Sequence, residues 1–104
     1  MKRVKRRYLA LQLDCEVLPS EREFIDAAWA SVTRLYGEVG ASMTGLSLID
    51  FDVERKVAVI RVSLATLPIV RASLAAIASL GGREASVRVL VVSGTLKALF
   101  ENMR

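Results

Sequence analysis

Five of the first seven residues, Lys2, Arg3, Lys5, Arg6 and Arg7, are cations with no acid among them. A cluster of this kind suits a phosphate backbone or an anionic surface. Ser93-Gly94-Thr95 offers a second anion-binding chemistry. It opens a short helical stretch, LKALFENMR, with Lys97 in the first turn. Backbone N–H groups at a helix start attract anions, and the dipole there disfavours a cation, a mismatch that a bound phosphate would relieve. A plain cap by Ser93 beside a solvated lysine accounts for the same residues. Asp50, Asp52 and Glu54 could hold Mg²⁺, but with no further ligand identifiable they read instead as a solvated strand end and turn. There is no histidine, and Cys15 is the only cysteine. That removes Ser-His-Asp triads, Cys-His dyads and most zinc sites. Cys15 reads as a small core residue. A phosphate-cleaving site of the acylphosphatase kind needs an Asn, and Asn102 is the only one, at the C-terminus. No self-contained catalytic site emerges, and no cofactor is expected on the protein.

The cations are unevenly placed. The formal charge is +4, yet of 15 Lys and Arg residues five lie in residues 1–7, leaving 10 basic against 11 acidic groups beyond. A near-neutral body thus carries a cationic entry segment. At 104 residues the chain suits one domain, 1–104, with one modest core. With 53% hydrophobic residues, either that core is generous or some apolar surface meets a partner. The run YLALQL after the cations is broken by Gln12 and stopped by Asp14 and Glu16, too short for a signal peptide. Residues 62–80 contain Pro68 and Arg71 and read as a buried helix rather than a membrane span. The single cysteine fits a reducing cytoplasm.

Positioning these groups falls to a simple order of elements. Leu9, Leu11, Leu13 and Cys15 alternate with Tyr8, Ala10, Gln12 and Asp14, a strand covered on one face. Ser20 and Glu23 form a capping box for a helix to about Tyr36, ended by Gly37, with Phe24, Ala28, Val32 and Leu35 as its stripe. Residues 46–51 and 57–63 read as strands joined by a charged hairpin loop. Thr66-Leu67-Pro68 starts a second helix with a core stripe at Leu67, Val70, Leu74, Ile77 and Ala78, ended by Gly81-Gly82. Residues 85–92 make a fourth strand, followed by the short helix. The order β-α-β-β-α-β predicts an α+β, ferredoxin-like (RRM-like) sandwich: a four-stranded antiparallel sheet with strands 1 and 3 central, two helices on one face, and a short C-terminal helix.

RNA-recognition modules of this shape stack bases on aromatic residues of the central strands. Here the open face offers Tyr8, Ala10, Gln12 and Asp14, then Val57, Val59, Arg61 and Ser63: one aromatic and no RNP1 pattern. Stacking across the sheet is disfavoured. Val57 and Val59 read as a face for a protein partner, or as ordinary residues under the last helix. On the second helix Ala72 and Ala76 allow close approach of another helix or chain, or form a bland exterior.

Taken in order, several stretches resemble one family: basic residues leading into Arg7-Tyr8-Leu9; Leu35-Tyr36-Gly37-Glu38 with Gly40-Ala41; Arg61 in the third strand; Arg71-Ala72-Ser73-Leu74; and Arg88-Val89-Leu90 before Ser93-Gly94-Thr95-Leu96-Lys97. This resembles ribonuclease P protein component 2, the archaeal and eukaryotic Pop-type subunit. Pro68 and Val62 depart from the family's usual residues. The resemblance implies a subunit of a ribonucleoprotein that removes the 5′ leader of precursor tRNA. Its RNA carries catalysis with Mg²⁺, and the protein binds and stabilises that RNA beside ribonuclease P protein component 3 and other subunits. The expected RNA contacts are Lys2, Arg3, Lys5, Arg6, Arg7, Arg61, Ser93, Gly94, Thr95 and Lys97, with precursor tRNA touched indirectly and no membrane partner. The alternative is a ferredoxin-like regulatory or protein-interaction module that binds no nucleic acid.

Overall fold

The computed structural model describes residues 5–103; Lys2 and Arg3, expected to contact RNA, lie outside the described residues. The elements are β1 (Arg6–Cys15), α1 (Glu21–Ser42), β2 (Ser47–Asp52), β3 (Val57–Ser63), α2 (Leu67–Ala75), β4 (Ser79–Leu80), β5 (Arg83–Ser93) and α3 (Leu96–Asn102). The strands pair antiparallel in the order β2-β3-β1-β5-β4. The expected sandwich is present with β1 and β3 internal, but the sheet has five strands rather than four.

Alternation along β1 sets the layers. Leu9, Leu11 and Leu13 point into the main core with Ala58, Ile60 and Val62 of β3, Phe24 and Ala28 of α1, and Val70 and Leu74 of α2. Ala10 points the other way and joins Val57, Val59 and Leu99 in a smaller cluster flanked by Leu96 and Met103. The second face is therefore closed by α3. Val57 and Val59 are 4% and 1% exposed, so they are covered by the chain's own last helix and offer no free face to a protein partner. Arg55 fixes the far end of α3 by donating to the Met103 carbonyl at 3.3 Å.

Two bulges keep this layering intact. Leu90 is the extra residue between the pairs Leu11↔Val89 and Ala10↔Val91, and Ile49 between Leu48↔Ile60 and Asp50↔Val59. Each extra residue shifts the alternation by one place. Val87, Val89 and Val92 can therefore all pack on the helix side, while Leu90 is left exposed.

The helices depart from the sequence reading where glycine intervenes. The capping box is present: the Glu23 N–H donates to Ser20 Oγ at 3.1 Å, and the Ser20 N–H to Glu23 Oε1 at 2.9 Å. Gly37 does not end α1. It takes φ 79° and ψ 171°, kinking a helix that resumes to Ser42. Beyond Val32 the stripe leaves the core, and Leu35 is exposed. The second helix is shorter than its apolar stripe suggests. After a 3-10 turn at Leu64–Thr66, α2 has Pro68 in its first turn and stops at Ala75 rather than Leu80. Ala78 is exposed, and its carbonyl accepts from the Ala85 N–H at 3.0 Å as the chain enters β4. Gly81 and Gly82, at φ 58° and 78°, form the hairpin turn between β4 and β5 rather than a helix end. Two successive left-handed residues are what a tight type I′ turn demands.

A Cβ at Gly37 would meet nothing within 4 Å, so only backbone conformation demands glycine there. Gly37→Ala is expected to cost about 1–3 kcal/mol, read as a lower urea midpoint. Leu99→Ala, which uncovers the second face, is expected to cost about 2–5 kcal/mol in the same measurement.

Candidate nucleic-acid interface

Because β1 lies between β3 and β5, its first residues meet the ends of both. Arg6 pairs with Ser63, Arg7 with Val62, and Tyr8 with Arg61 on one side and Ser93 on the other. The Lys5 carbonyl accepts from the Leu64 N–H at 2.8 Å, which holds the approach to the strand. Three groups distant in sequence are thus gathered at one end of the sheet: Lys5 to Arg7, Arg61, and Ser93 to Lys97. Arg7 comes near the start of α3: a Cβ added at Gly94 would sit 3.7 Å from its Nη1.

The strand ends gathered here carry no carboxylate; the acids of β1, β2 and β5 are Asp14, Asp50, Asp52 and Glu84, toward the other end. Among the described residues the ion pairs are Arg22–Asp26 and Arg88–Asp14. Lys5, Arg6, Arg7, Arg61 and Lys97 have no acidic partner among them. Arg7 Nη1 donates to the Arg6 carbonyl at 2.9 Å, which leaves its other donors free for a ligand. Arg61 is half-buried, and its Nε is enclosed without a hydrogen-bond partner.

The start of α3 is less of a cradle than its sequence suggests. Thr95, not Ser93, is the cap: its Oγ1 accepts from the Ala98 N–H at 3.1 Å. Ser93 Oγ takes a long bond from the Thr95 N–H at 3.4 Å. The helix has only 7 residues, so the exposed charge of Lys97 is its main attraction for an anion.

The other singled-out residues lie elsewhere. Asp50 and Asp52 stand opposite Val59 and Val57, and Asp52 Oδ1 accepts from the Arg55 N–H at 3.1 Å, the role of a turn residue. Ala72 and Ala76 are exposed on the helix layer, across the sheet from Arg61. Cys15 lies half-buried in an open cavity of about 820 Å³ at the opposite end, lined also by Asp14, Glu16, Arg83 and Glu84. That concavity contains none of the gathered cations. Sequence reasoning missed two features. Tyr8 neighbours both Arg61 and Ser93, which only the register reveals. The end of α1 exposes Leu35, Tyr36, Val39 and Met43. Gly37, placed between the apolar residues Leu35, Tyr36 and Val39, was the available signal.

The model of the Rpp14/Pop5 family matches residues 7–104. The chain belongs to the Rpp14/Pop5 family. Ribonuclease P protein component 2 of Methanosarcina mazei is 34% identical over 99 residues, covering 95% of this chain and 84% of that protein. The protein of the same name from Pyrococcus furiosus is 33% identical over 97 residues, covering 93% and 81%. A chain in a cryo-EM structure of yeast ribonuclease MRP superposes with a TM-score of 0.74 at 17% identity, over 99% of this chain and 94% of that one, and so shares the fold. The Rpp14/Pop5 match begins at Arg7, so most of the cationic segment precedes it. That segment's contribution must be measured on this chain. Removing residues 1–6 is expected to lower the slope of log affinity against log salt for RNA by a few units, given roughly 0.7–0.9 per phosphate neutralised.

Proposed function

We propose that the chain is a protein subunit of ribonuclease P, the ribonucleoprotein endonuclease that removes the 5′ leader of precursor tRNA, and that it binds and stabilises the catalytic RNA. The observation that carries this reading, beside family membership, is the gathering of unpaired cations at one end of the sheet. Several charges gathered at one end of the sheet without counter-ions can neutralise neighbouring phosphates together. Binding by placement suits a body whose net charge beyond residue 7 is close to zero.

In this reading the polypeptide is not itself catalytic. Acid–base or nucleophilic catalysis needs a positioned base beside a nucleophile. The chain has no histidine, and its one cysteine hydrogen-bonds the Leu13 carbonyl at 3.8 Å, away from the cations. Catalysis then belongs to the RNA with its Mg²⁺. Protein partners are ribonuclease P protein component 3 and other subunits, and the setting is the cytoplasm. No helix among the described residues is long and apolar enough to cross a membrane. Val39 and Met43, 76% and 66% exposed, are the apolar side chains most in need of such a protein partner.

Cleavage of precursor tRNA by ribonuclease P RNA at moderate Mg²⁺ tests the proposal. The rate is expected to rise when this chain and protein component 3 are added together. The isolated chain is expected to show no turnover. An unchanged rate, or cleavage by the chain alone, contradicts the reading.

A further inference from the structure

β5 has 11 residues, and β4 pairs with only the start of it, Ser79 with Glu84 and Leu80 with Arg83. Beyond that start its outer side has no strand partner among the described residues. The bonding direction of each residue there follows from β1. The Leu13 N–H donates to the Lys56 carbonyl and the Lys5 carbonyl accepts from Leu64, so odd-numbered residues of β1 bond toward β3. The even-numbered ones, Tyr8, Ala10, Gln12 and Asp14, then bond toward β5, where they face Ser93, Val91, Arg88 and Ser86. That leaves Val87, Val89 and Val92 with N–H and C=O directed outward. Ala85 fits the same parity, since its N–H donates outward to the Ala78 carbonyl at 3.0 Å. No bond among the described residues engages the outward groups of Val89 and Val92.

Val87 is nearly buried, so the accessible edge begins at Val89; Val89 and Val92 are half-buried, and Leu90 is exposed. Val89 and Val92 stand opposite Leu11 and Leu9, two apart on β1. An added strand therefore meets them at the ordinary two-residue repeat despite the bulge. The other edge of the sheet is blunted: β2 has 6 residues and carries Asp50 and Asp52, charges that discourage strand addition. From Val87 to Val92, β5 carries one charge, Arg88, in an otherwise aliphatic run. Such an edge invites another strand. Charge selects which strand. Glu84, the one carboxylate of β5, lies at the end paired with β4, and Asp14 reaches Arg88 only at 3.4 Å. A second copy of β5 would bring another arginine to a seam without a free acid. An acidic residue on the incoming strand would complement Arg88.

We propose that the outer edge of β5, from Val89 to Val92, takes an extended segment of a protein partner, apolar and bearing at least one acidic residue, as an added strand in line with β4. Main-chain bonds to Val89 and Val92 hold the segment, and a carboxylate beside Arg88 sets its register. This rests on the reading of the chain as one subunit among several proteins of a ribonucleoprotein, and it names where and how one of them attaches.

Amide hydrogen exchange of the full-length chain, resolved to single residues, tests the proposal. In the free chain the Val89 and Val92 amides should exchange at least tenfold faster than those of Arg88 and Val91, at every protein concentration. Ribonuclease P RNA alone should leave them fast. Assembly with that RNA, protein component 3 and the other protein subunits should slow them tenfold or more. Equal rates in the free chain overturn the proposal, as does slowing on raised concentration (a second copy), slowing by RNA alone, or no slowing in the full assembly. Failure of the chain to enter that assembly instead overturns the subunit reading. Val89→Pro removes an outward N–H and no bond to β1. It is expected to lower incorporation into the assembly about tenfold, the scale of a lost ladder bond together with the block imposed by the ring. It should leave the chain's own affinity for RNA unchanged. Val53→Lys, at an exposed hairpin position, should change neither quantity. Full incorporation of Val89→Pro overturns the proposal.

Discussion

β1 is paired along both sides, and nearly every other feature of the molecule depends on that. A strand held by β3 and β5 must hide one side chain in two under the long helices, which Leu9, Leu11 and Leu13 do. The residues between them need a second cover, and Ala10 receives it from Leu99 of α3. A slip of one residue would exchange the two sets and drive Gln12 and Asp14 toward the core. The bulges at Leu90 and Ile49 are where neighbouring strands adjust to keep this register. The same pairing makes the start of β1 the meeting point of three chain segments, so the site is a consequence of the core.

Closing the second face constrains how RNA can bind. An RRM-like sheet normally offers its central strands as a stacking platform. Here Val57 and Val59 lie beneath α3, and Leu99 is fully buried. Exposing that cluster to accept a base would forfeit apolar burial worth about 25 cal/mol per Å². Stacking is worth about 1–3 kcal/mol per base, and a cost of that kind would offset much of it. Phosphate contact at the uncovered end requires no such rearrangement. In the proposed reading the fold is used at its edge, where Lys5 to Arg7, Arg61 and Lys97 are gathered.

The architecture was legible because its signals are local. Alternation in residues 8–15 and 57–63, the Ser20–Glu23 box and Pro68 in the first turn of α2 each have one physical reading, and the structure agrees with them. The errors cluster at glycines and short segments. Gly37 and Gly81-Gly82 all read as helix ends, because glycine marks a left-handed residue without specifying the conformation of the residues after it. One is a kink and the others a hairpin turn. The two-residue β4 is too short to leave a periodic signal, and the bond from the Ala85 N–H to the Ala78 carbonyl holds the chain after α2 in the hairpin with β5. For the site, residue types could be read but not their company. That Tyr8 stands beside both Arg61 and Ser93, and that Arg61 Nε is enclosed, depend on register and burial.

In the proposed function, RNA docks at the cationic end of the sheet and not on its α3-covered face or its opposite end. Photocrosslinking of the full-length chain to ribonuclease P RNA, with crosslinked residues mapped by mass spectrometry, tests it most directly. Crosslinks are expected within residues 1–8, at or beside Arg61, and within residues 93–97. Crosslinks concentrated at Asp14–Val17, in the hairpin at residues 52–56, or at Ala72–Ala76 would contradict it.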